Sequence, residues 1–328
     1  MRQARYSNRR QFMQRALSTA AMSMGLGTAA RAASWPARPV SIIVPYVAGG
    51  TSDMMARLCA QFMTEKLGKT FIVENRAGGS GVPAATVTAT ADRDGCTVLF
   101  GPPAPIVTVP MLQKVSYNTE SFAPINIFAS YPFLLGIKAS LPVQSLQELI
   151  AYMKAHPGKL NYSSAGFGSI SHLVGALFAS QADIKVVHVP YKGAAPATTA
   201  LMTGEVDFYF GGSSELIPHM SSTDKIRIIA TSGTKRLANL PDLPAVGELI
   251  SGFALETWNG FVGPRGIPEP IVNQFAEAIR DAAMSPTIKE RLQSLAIYPV
   301  ESTPAEFAKT IASDKAFYQA ALKAAGMI

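Results

Sequence analysis

The sequence has few of the residues that build metal centres and disulfide frameworks. Its 328 residues include two cysteines and four histidines. The histidines are scattered without the spacing of a ligand set, and neither HExxH nor CxxC occurs. Cys59 and Cys96 either form one disulfide in an oxidising compartment or remain two separately buried thiols, and we expect the second. The sequence therefore predicts no bound metal and no cofactor.

Motifs of common enzyme classes are also missing. There is no GxSxG elbow and no Walker lysine loop. Residues 166–171 (GFGSIS) and 79–84 (GSGVPA) approximate a dinucleotide-binding motif, but neither is followed about 20 residues later by an acid that ends a strand. We predict that the protein is not an enzyme. A secreted hydrolase assembled from distant Ser, His and Asp residues stays open as an alternative.

The first 33 residues contain six arginines and no acidic residue, which leaves 23 basic and 22 acidic residues in the rest of the chain. The remainder thus has no field that would attract nucleic acid. A modest apolar stretch at 16–30 precedes small residues at Ala30 and Ala32. This pattern predicts an export signal over 1–33 and a periplasmic protein. Residues 8–13 (NRRQFM) resemble a twin-arginine motif, with an ordinary Sec signal as the alternative.

After residue 33 no apolar run reaches 18 residues, so we predict no membrane span in the mature chain. Short β-branched runs alternate there with segments of helical period, which predicts parallel sheets covered by helices. Two extended segments, 125–137 and 254–262, interrupt the alternation and are expected to cross between two lobes. The predicted lobe 1 is 34–131 plus 258–328, and lobe 2 is 132–257. The predicted strands are 40–45, 70–73, 96–100, 160–163, 185–189, 206–210 and 226–231, and the predicted helices between them are 54–67, 83–91, 146–156, 171–182 and 197–204.

Two strand-to-helix loops are rich in glycine and hydroxyl groups: 45–53 (PYVAGGTSD) and 163–169 (SSAGFGS). Glycines allow a ligand to approach the backbone, and a helix start offers N–H donors with a dipole that favours an anion. Facing loops of this kind would hold a carboxylate without an arginine. Such turns also occur in α/β proteins that bind nothing there. For Asp53, in a first helical turn, we expect a structural capping role.

Several motifs resemble the Bug-type extracytoplasmic solute receptors, the binding proteins of tripartite tricarboxylate transporters. They occur in order along essentially the whole mature chain. The matching stretches are 35–39 (WPARP), 45–50 (PYVAGG) with Asp53 and Arg57, 73–76 (VENR) before Gly78 and Gly79, 161–169 (NYSSAGFGS) with His172 and Leu173, 189–193 (VPYKG), 204–207 (GEVD), 240–242 (LPD) and 258–260 (WNG).

The resemblance implies a periplasmic binding protein type II fold: two α/β lobes, two crossover strands and a ligand cleft between the lobes. It also implies a ligand carboxylate held by backbone donors of the two loops, partly through water. The partners would be a small carboxylate and the membrane permease subunits, and a monomer is expected. A periplasmic sensor that signals to a kinase is the alternative. The predicted ligand-binding residues are Tyr46, Ala48, Gly49, Gly50, Thr51, Ser52, Pro103, Ala104, Ser164, Ala165, Gly166, Gly168, Ser169, Tyr191, Lys192 and Gly211.

The chain departs from the family pattern at the predicted cleft. Ala48 and Ala77 stand where proline is common, residues 101–105 (GPPAP) replace small polar residues, and Gly211 stands where relatives often carry an acid. These changes predict an apolar, poorly charged wall around the far end of the ligand. We therefore expect a monocarboxylate with an uncharged, conceivably aromatic, body rather than an amino acid.

Overall fold

The computed structural model describes residues 35–221 and 224–328. The predicted export signal at 1–33, with its paired arginines, lies outside the described residues. The chain divides into two units, Met1–Ala37 and Arg38–Ile328, and everything below concerns the second. Within the described ranges, no helix combines the length and the apolar character that a membrane crossing requires.

The second unit is a mixed α/β fold, and its elements follow the predicted alternation closely. Numbered along the chain, the strands are β1 Val40–Val44, β2 Phe71–Asn75, β3 Thr97–Gly101, β4 Phe122–Lys138, β5 Asn161–Ser164, β6 Val187–Pro190, β7 Phe208–Gly212, β8 Ile226–Thr231, β9 Glu256–Pro264 and β10 Tyr298–Pro299. The α-helices are α1 Thr51–Leu67, α2 Val82–Ala89, α3 Val109–Leu112, α4 Leu146–Ala155, α5 Ile170–Gln181, α6 Ala194–Met202, α7 Ser213–Leu216, α8 Glu269–Met284, α9 Pro286–Ser294 and α10 Pro304–Ala324.

The sheet has two halves that share one long strand. Its order is β2-β1-β3-β9-β4-β7-β5-β6, with β8 and β10 also paired to β4. Pairing is parallel among β1, β2 and β3 and among β5, β6 and β7, and antiparallel wherever β4 or β9 takes part. In β4, residues 122–132 pair with β9 and residues 133–138 pair with β7 and β8. The two segments predicted to cross are thus β4 and β9, while the predicted lobe boundaries stay a prediction.

Local sequence explains how the helices that approach the cleft begin and end. The run VSIIV in β1 is buried except for one half-exposed residue, as expected for a strand covered on both faces. Helix α1 ends at Gly68, whose left-handed backbone lets its N–H bond the Thr64 carbonyl. Ser169 is the N-cap residue of α5, and its hydroxyl accepts a hydrogen bond from the His172 N–H. Each parallel strand therefore delivers the chain to a helix start at the carboxyl edge of its half-sheet.

The second half-sheet packs on a buried cluster that includes Leu134, Leu201, Tyr209 and Leu216. Both cysteines are buried and free, so the expectation of two separate thiols is confirmed. Burial also raises the pKa of the Cys59 thiol, which keeps it protonated and unreactive at neutral pH.

Candidate functional site

A small cavity lies where the two halves meet. Its volume, counted over the positions that the centre of a water molecule can take, is about 40 Å³. The cavity therefore has room for a few water-sized groups. Its walls combine the starts of α1, α5 and α6 with aromatic side chains from β4 and β7. The lining residues are Tyr46, Thr51, Ser52, Pro102, Tyr131, Phe133, Ala165, Ser169, Ile170, Ser171, Ala194, Tyr209 and Glu215.

The first helix start comes from the loop after β1. Gly49 adopts a φ of +92°, a conformation that glycine favours. The loop leads directly into α1 at Thr51. The Ser52 hydroxyl accepts a hydrogen bond from the Asn259 side chain at 2.9 Å. Among the described residues, the Ser52 N–H has no acceptor, as the second N–H of a helix commonly does not.

Asp53 holds this loop in place. Its carboxylate accepts from the Gly49 N–H at 3.1 Å, from Asn75 at 2.9 Å and from Arg57 at 2.9 and 3.1 Å. Burial alone would raise the pKa of Asp53, but the hydrogen bonds from Arg57, Asn75 and Gly49 outweigh it and lower the pKa. The ionised carboxylate faces the loop backbone and Arg57, and it does not line the cavity.

The second helix start comes from the loop after β5. This loop satisfies most of its own N–H groups: Ala165 donates to the Ser171 hydroxyl at 3.0 Å, and Gly168 donates to the His172 ring at 3.1 Å. The N–H groups of Ile170 and Ser171, the first two of α5, have no acceptor in the described part of the chain. Both residues line the cavity. The free helix-start donors among the lining residues are therefore at Ser52, Ile170 and Ser171 and at Ala194, the first residue of α6.

Glu215 is a functional candidate that the sequence did not reveal. This half-buried residue in α7 lines the cavity and accepts four hydrogen bonds. The donors are the Thr51 hydroxyl at 2.7 Å, the Gly212 N–H at 2.8 Å, the Tyr209 hydroxyl at 3.0 Å and the Thr51 N–H at 3.4 Å. Desolvation raises the pKa of Glu215, while these bonds oppose the rise. The wall predicted to be poorly charged thus contains a carboxylate.

A serine and a histidine meet behind the second loop. The Ser164 hydroxyl lies 2.6 Å from Nε2 of His188, whose ring stacks on that of His172 at 3.7 Å. Burial lowers the pKa of His188 to about 4, and burial together with His188 lowers that of His172 to about 3. Ser164 is fully buried and also bonds Gly166. Within the described ranges, no carboxylate contacts the His188 ring to complete a triad.

The structure brings together only part of the predicted site. Tyr46, Thr51, Ser52, Ala165 and Ser169 line the cavity. Gly166, Tyr191 and Lys192, with Tyr46 and Ala165, line an adjoining groove. Eight predicted residues line neither: Ala48, Gly49, Gly50, Pro103, Ala104, Ser164, Gly168 and Gly211.

Packing explains two of these differences. Gly211 was expected to face the cleft, but a Cβ there would lie 2.5 Å from the Tyr209 ring. Tyr209 thus fills the space beside Gly211 and lines the cavity itself, as does Phe133 on the neighbouring β4. In the proline-rich segment, Pro102 lines the cavity, whereas the Pro103 carbonyl accepts the N–H groups of Ile106 and Val107 and so begins a turn.

No group of three or more His, Cys, Asp or Glu side chains in the described part of the chain is arranged to hold a metal ion. The cavity offers N–H and hydroxyl donors, aromatic surface and one carboxylate. Such a site binds by hydrogen bonding and shape.

Comparison with known proteins agrees with this geometry. Residues 55–327 match the family model described as the tripartite tricarboxylate transporter family receptor. Protein BugT of Bordetella pertussis is 30% identical over 284 residues, which are 85% of this chain and 87% of BugT. The structure of R. palustris Rpa4515 with adipate superposes with a TM-score of 0.85 at 30% identity, covering 89% of this chain and 98% of Rpa4515. The periplasmic binding protein BugD gives a TM-score of 0.85 at 30% identity, with coverages of 89% and 99%.

Proposed function

The chain belongs to the tripartite tricarboxylate transporter receptor family and is a solute-binding receptor, and we propose that its solute is a small monocarboxylate with an uncharged body. The observation that carries the proposal is the set of free N–H groups at Ser52, Ile170, Ser171 and Ala194, which come from three helix starts and border one cavity. Helix N-termini favour anions, because their N–H groups and dipoles point at the ligand.

The binding mode follows from the way these donors are distributed. One comes from α1 in the first half of the sheet, and the second half supplies two from α5 and one from α6. A carboxylate that bonds the α1 start and a helix start of the second half would stabilise the closed arrangement of the halves over the open one. Water molecules would complete contacts that the carboxylate does not reach directly.

The far side of the cavity sets the character of the ligand body. Phe133 and the rings of Tyr131 and Tyr209 are buried around it. Both Glu215 oxygens already accept two protein donors each, which leaves no lone pair of Glu215 free for a ligand ammonium group. The small volume suits a compact aliphatic acid, and an aromatic acid would require the halves to separate further.

We place the receptor in the periplasm, as a monomer that presents its closed form to membrane permease subunits. The predicted export signal and the relation to the periplasmic protein BugD support this location. No catalytic step is part of the proposal. The buried Ser164 hydroxyl is held by Gly166 and His188 and serves the loop structure.

The test is a thermal-shift screen of the protein without its export signal, stripped of bound solute by unfolding and refolding. Aliphatic, aromatic and amino-acid carboxylates are compared at equal concentration. A ligand at one hundred times its Kd adds about 2.7 kcal/mol of stability, a shift of several degrees. We expect small monocarboxylates to raise the melting temperature. A receptor would release the bound acid chemically unchanged, whereas a hydrolase would convert its substrate. Tight, selective binding of aspartate or citrate would contradict it.

A further inference from the structure

Glu215 reaches across the cleft from one half of the structure to the other. It lies in α7, directly after β7, yet its Oε1 accepts both the hydroxyl and the N–H of Thr51 at the start of α1. Its Oε2 accepts the Tyr209 hydroxyl and the Gly212 N–H. A Cβ on Gly212 would lie 2.5 Å from the Thr51 hydroxyl oxygen, so glycine at this position permits the close approach. The carboxylate is therefore held rigidly at the cavity wall.

No positive side chain balances this carboxylate. The cavity lining contains no lysine, arginine or histidine, and none of the ion pairs among the described residues includes Glu215. Its charge is met only by hydroxyl and N–H dipoles. All four protein partners of Glu215 donate to its oxygens, which is the arrangement that an ionised carboxylate requires. An ionised Glu215 gives the cavity one negative charge and no positive one.

A ligand with one carboxylate can place it at the α5 start, where the Ile170 and Ser171 N–H groups are free. A second carboxylate would meet the other free donors, the N–H groups of Ser52 and Ala194, and there it would lie close to Glu215. Ser52 directly follows Thr51, which bonds Glu215, and Ala194 lies on the same side of Gly50 as a Glu215 oxygen. Two like charges about 6 Å apart, at an effective dielectric constant of about 20, repel enough to weaken binding about a hundredfold.

We propose that Glu215 is a specificity-determining residue that excludes dicarboxylates from this receptor by placing an uncompensated carboxylate in the ligand cavity. The inference rests on the proposed function and deepens it, because it names the residue that rejects a second carboxylate. The favourable interactions select a carboxylate, and this unfavourable interaction rejects a second one.

The experiment compares probe acids of equal chain length by calorimetry on the stripped receptor. Butyrate and succinate differ only in that a methyl group of one is a carboxylate in the other, and monomethyl succinate has a neutral end of at least the size of the carboxylate. In the wild-type receptor, succinate should bind about a hundredfold more weakly than butyrate, and monomethyl succinate within about tenfold of butyrate. In Glu215→Gln, which keeps the side-chain size, the gap between butyrate and succinate should fall below about tenfold.

Glu290→Gln is the matched control, because it removes the same charge from an exposed residue outside the cavity lining. It should leave the wild-type ratio unchanged. The glutamine amide nitrogen faces donors at Thr51 or Gly212, so far-UV circular dichroism must show that Glu215→Gln is folded. If the variant does not fold, the affinity of the wild-type receptor for monomethyl succinate tests the proposal. If the ester binds as weakly as succinate does, then size rather than charge excludes the diacid, and the proposal is overturned.

The outcomes separate the two proposals. Equal binding of butyrate and succinate by the wild type overturns the exclusion by Glu215 and leaves a carboxylate receptor. An unchanged hundredfold ratio in a folded Glu215→Gln variant has the same consequence. A wild-type receptor that binds neither these acids nor any other monocarboxylate overturns the proposed function together with the exclusion.

Discussion

The most direct perturbation of the proposed carboxylate site is Ile170→Pro, which removes one N–H donor and keeps the helix. Ile170 is the first residue of α5, a position where proline is favoured because its fixed φ suits the helix and the N–H bonds no helix carbonyl. Ser169, the residue before it, has a ψ of 160°, the extended conformation that proline requires of its predecessor. The backbone therefore accepts proline without moving.

The expected loss follows from the bond that disappears. A hydrogen bond to a charged group contributes about 1.5 to 3 kcal/mol, which corresponds to binding about ten- to a hundredfold weaker. Ile170→Val is the matched control: it shortens the same buried side chain, keeps the N–H, and should cost only about 0.5 to 1.5 kcal/mol of stability. The assay is titration calorimetry of both variants with the monocarboxylate identified by the thermal-shift screen.

If both variants bind the acid with Kd values within about threefold of each other, the Ile170 N–H does not contact the carboxylate. The assignment of the α5 start as the anion site would then be wrong. If both lose binding equally, the Ile170 side chain rather than the backbone donor is responsible. Only a loss confined to the proline variant agrees with the proposed mode.

Three further predictions concern stability and closure. In the unfolded chain His188 takes up a proton near its ordinary pKa of 6.5, whereas in the folded protein burial lowers that pKa to about 4. His188 should therefore contribute a fall in stability of about 2 kcal/mol between pH 7 and pH 5, and His172, whose pKa is also lowered, should add to the fall. Urea unfolding should show a smaller fall in His188→Asn, by about the His188 contribution. Gly175→Ala should destabilise the protein by about 1 to 3 kcal/mol, because the new Cβ would lie 2.3 Å from the Tyr162 ring. This cost should exceed the gain from the better helix propensity of alanine. An unchanged melting temperature would contradict this packing. Thr108→Val removes the hydroxyl that donates across the cleft to the Gly168 carbonyl at 2.8 Å. Because this bond stabilises the closed form, its loss should weaken ligand binding about two- to tenfold although Thr108 does not contact the ligand. Small-angle scattering of the ligand-free variant should show a larger radius of gyration.

The fold could be predicted from the sequence because its signals are local. Runs such as 226–231 are β-branched and bounded by polar residues, and this strand has the predicted bounds. The two crossing strands were recognised because they interrupt the alternation of strand and helix. Boundaries shifted by a few residues where a glycine loop passes directly into a helix, as at Thr51, where α1 begins three residues before its predicted start.

The candidate site was predicted only as far as the two loops. Glycine and hydroxyl content indicated both helix starts, yet which N–H groups remain free depends on side chains that bond the others. Ser171 accepts the Ala165 N–H, and His172 accepts that of Gly168. These bonds remove donors that the sequence pattern had counted as available. At the second loop, the remaining donors are the first two residues of α5, beyond the glycine-rich segment itself.

Glu215 shows why charge at a site is the hardest property to obtain from sequence. It follows β7 by three residues in a four-residue helix that has no periodicity to detect, and its partner Thr51 is 164 residues away. The available signal was its place just after the carboxyl end of a parallel strand, where cleft residues collect. The family pattern points instead to Gly211, where relatives often carry an acid.

The bonds that cross the cleft also bear on how the ligand acts. Ser80 donates to the Phe167 carbonyl at 2.6 Å, and Thr51 donates to Glu215. These protein contacts stabilise the closed form in addition to any ligand contacts, and a ligand shifts the equilibrium only by the affinity it gains in the closed form over the open one. Because the cavity already contains the Glu215 carboxylate, a second ligand charge would reduce that gain. Under this mechanism, an accepted monocarboxylate favours the closed form and a rejected dicarboxylate does not. The permease would recognise only the closed form.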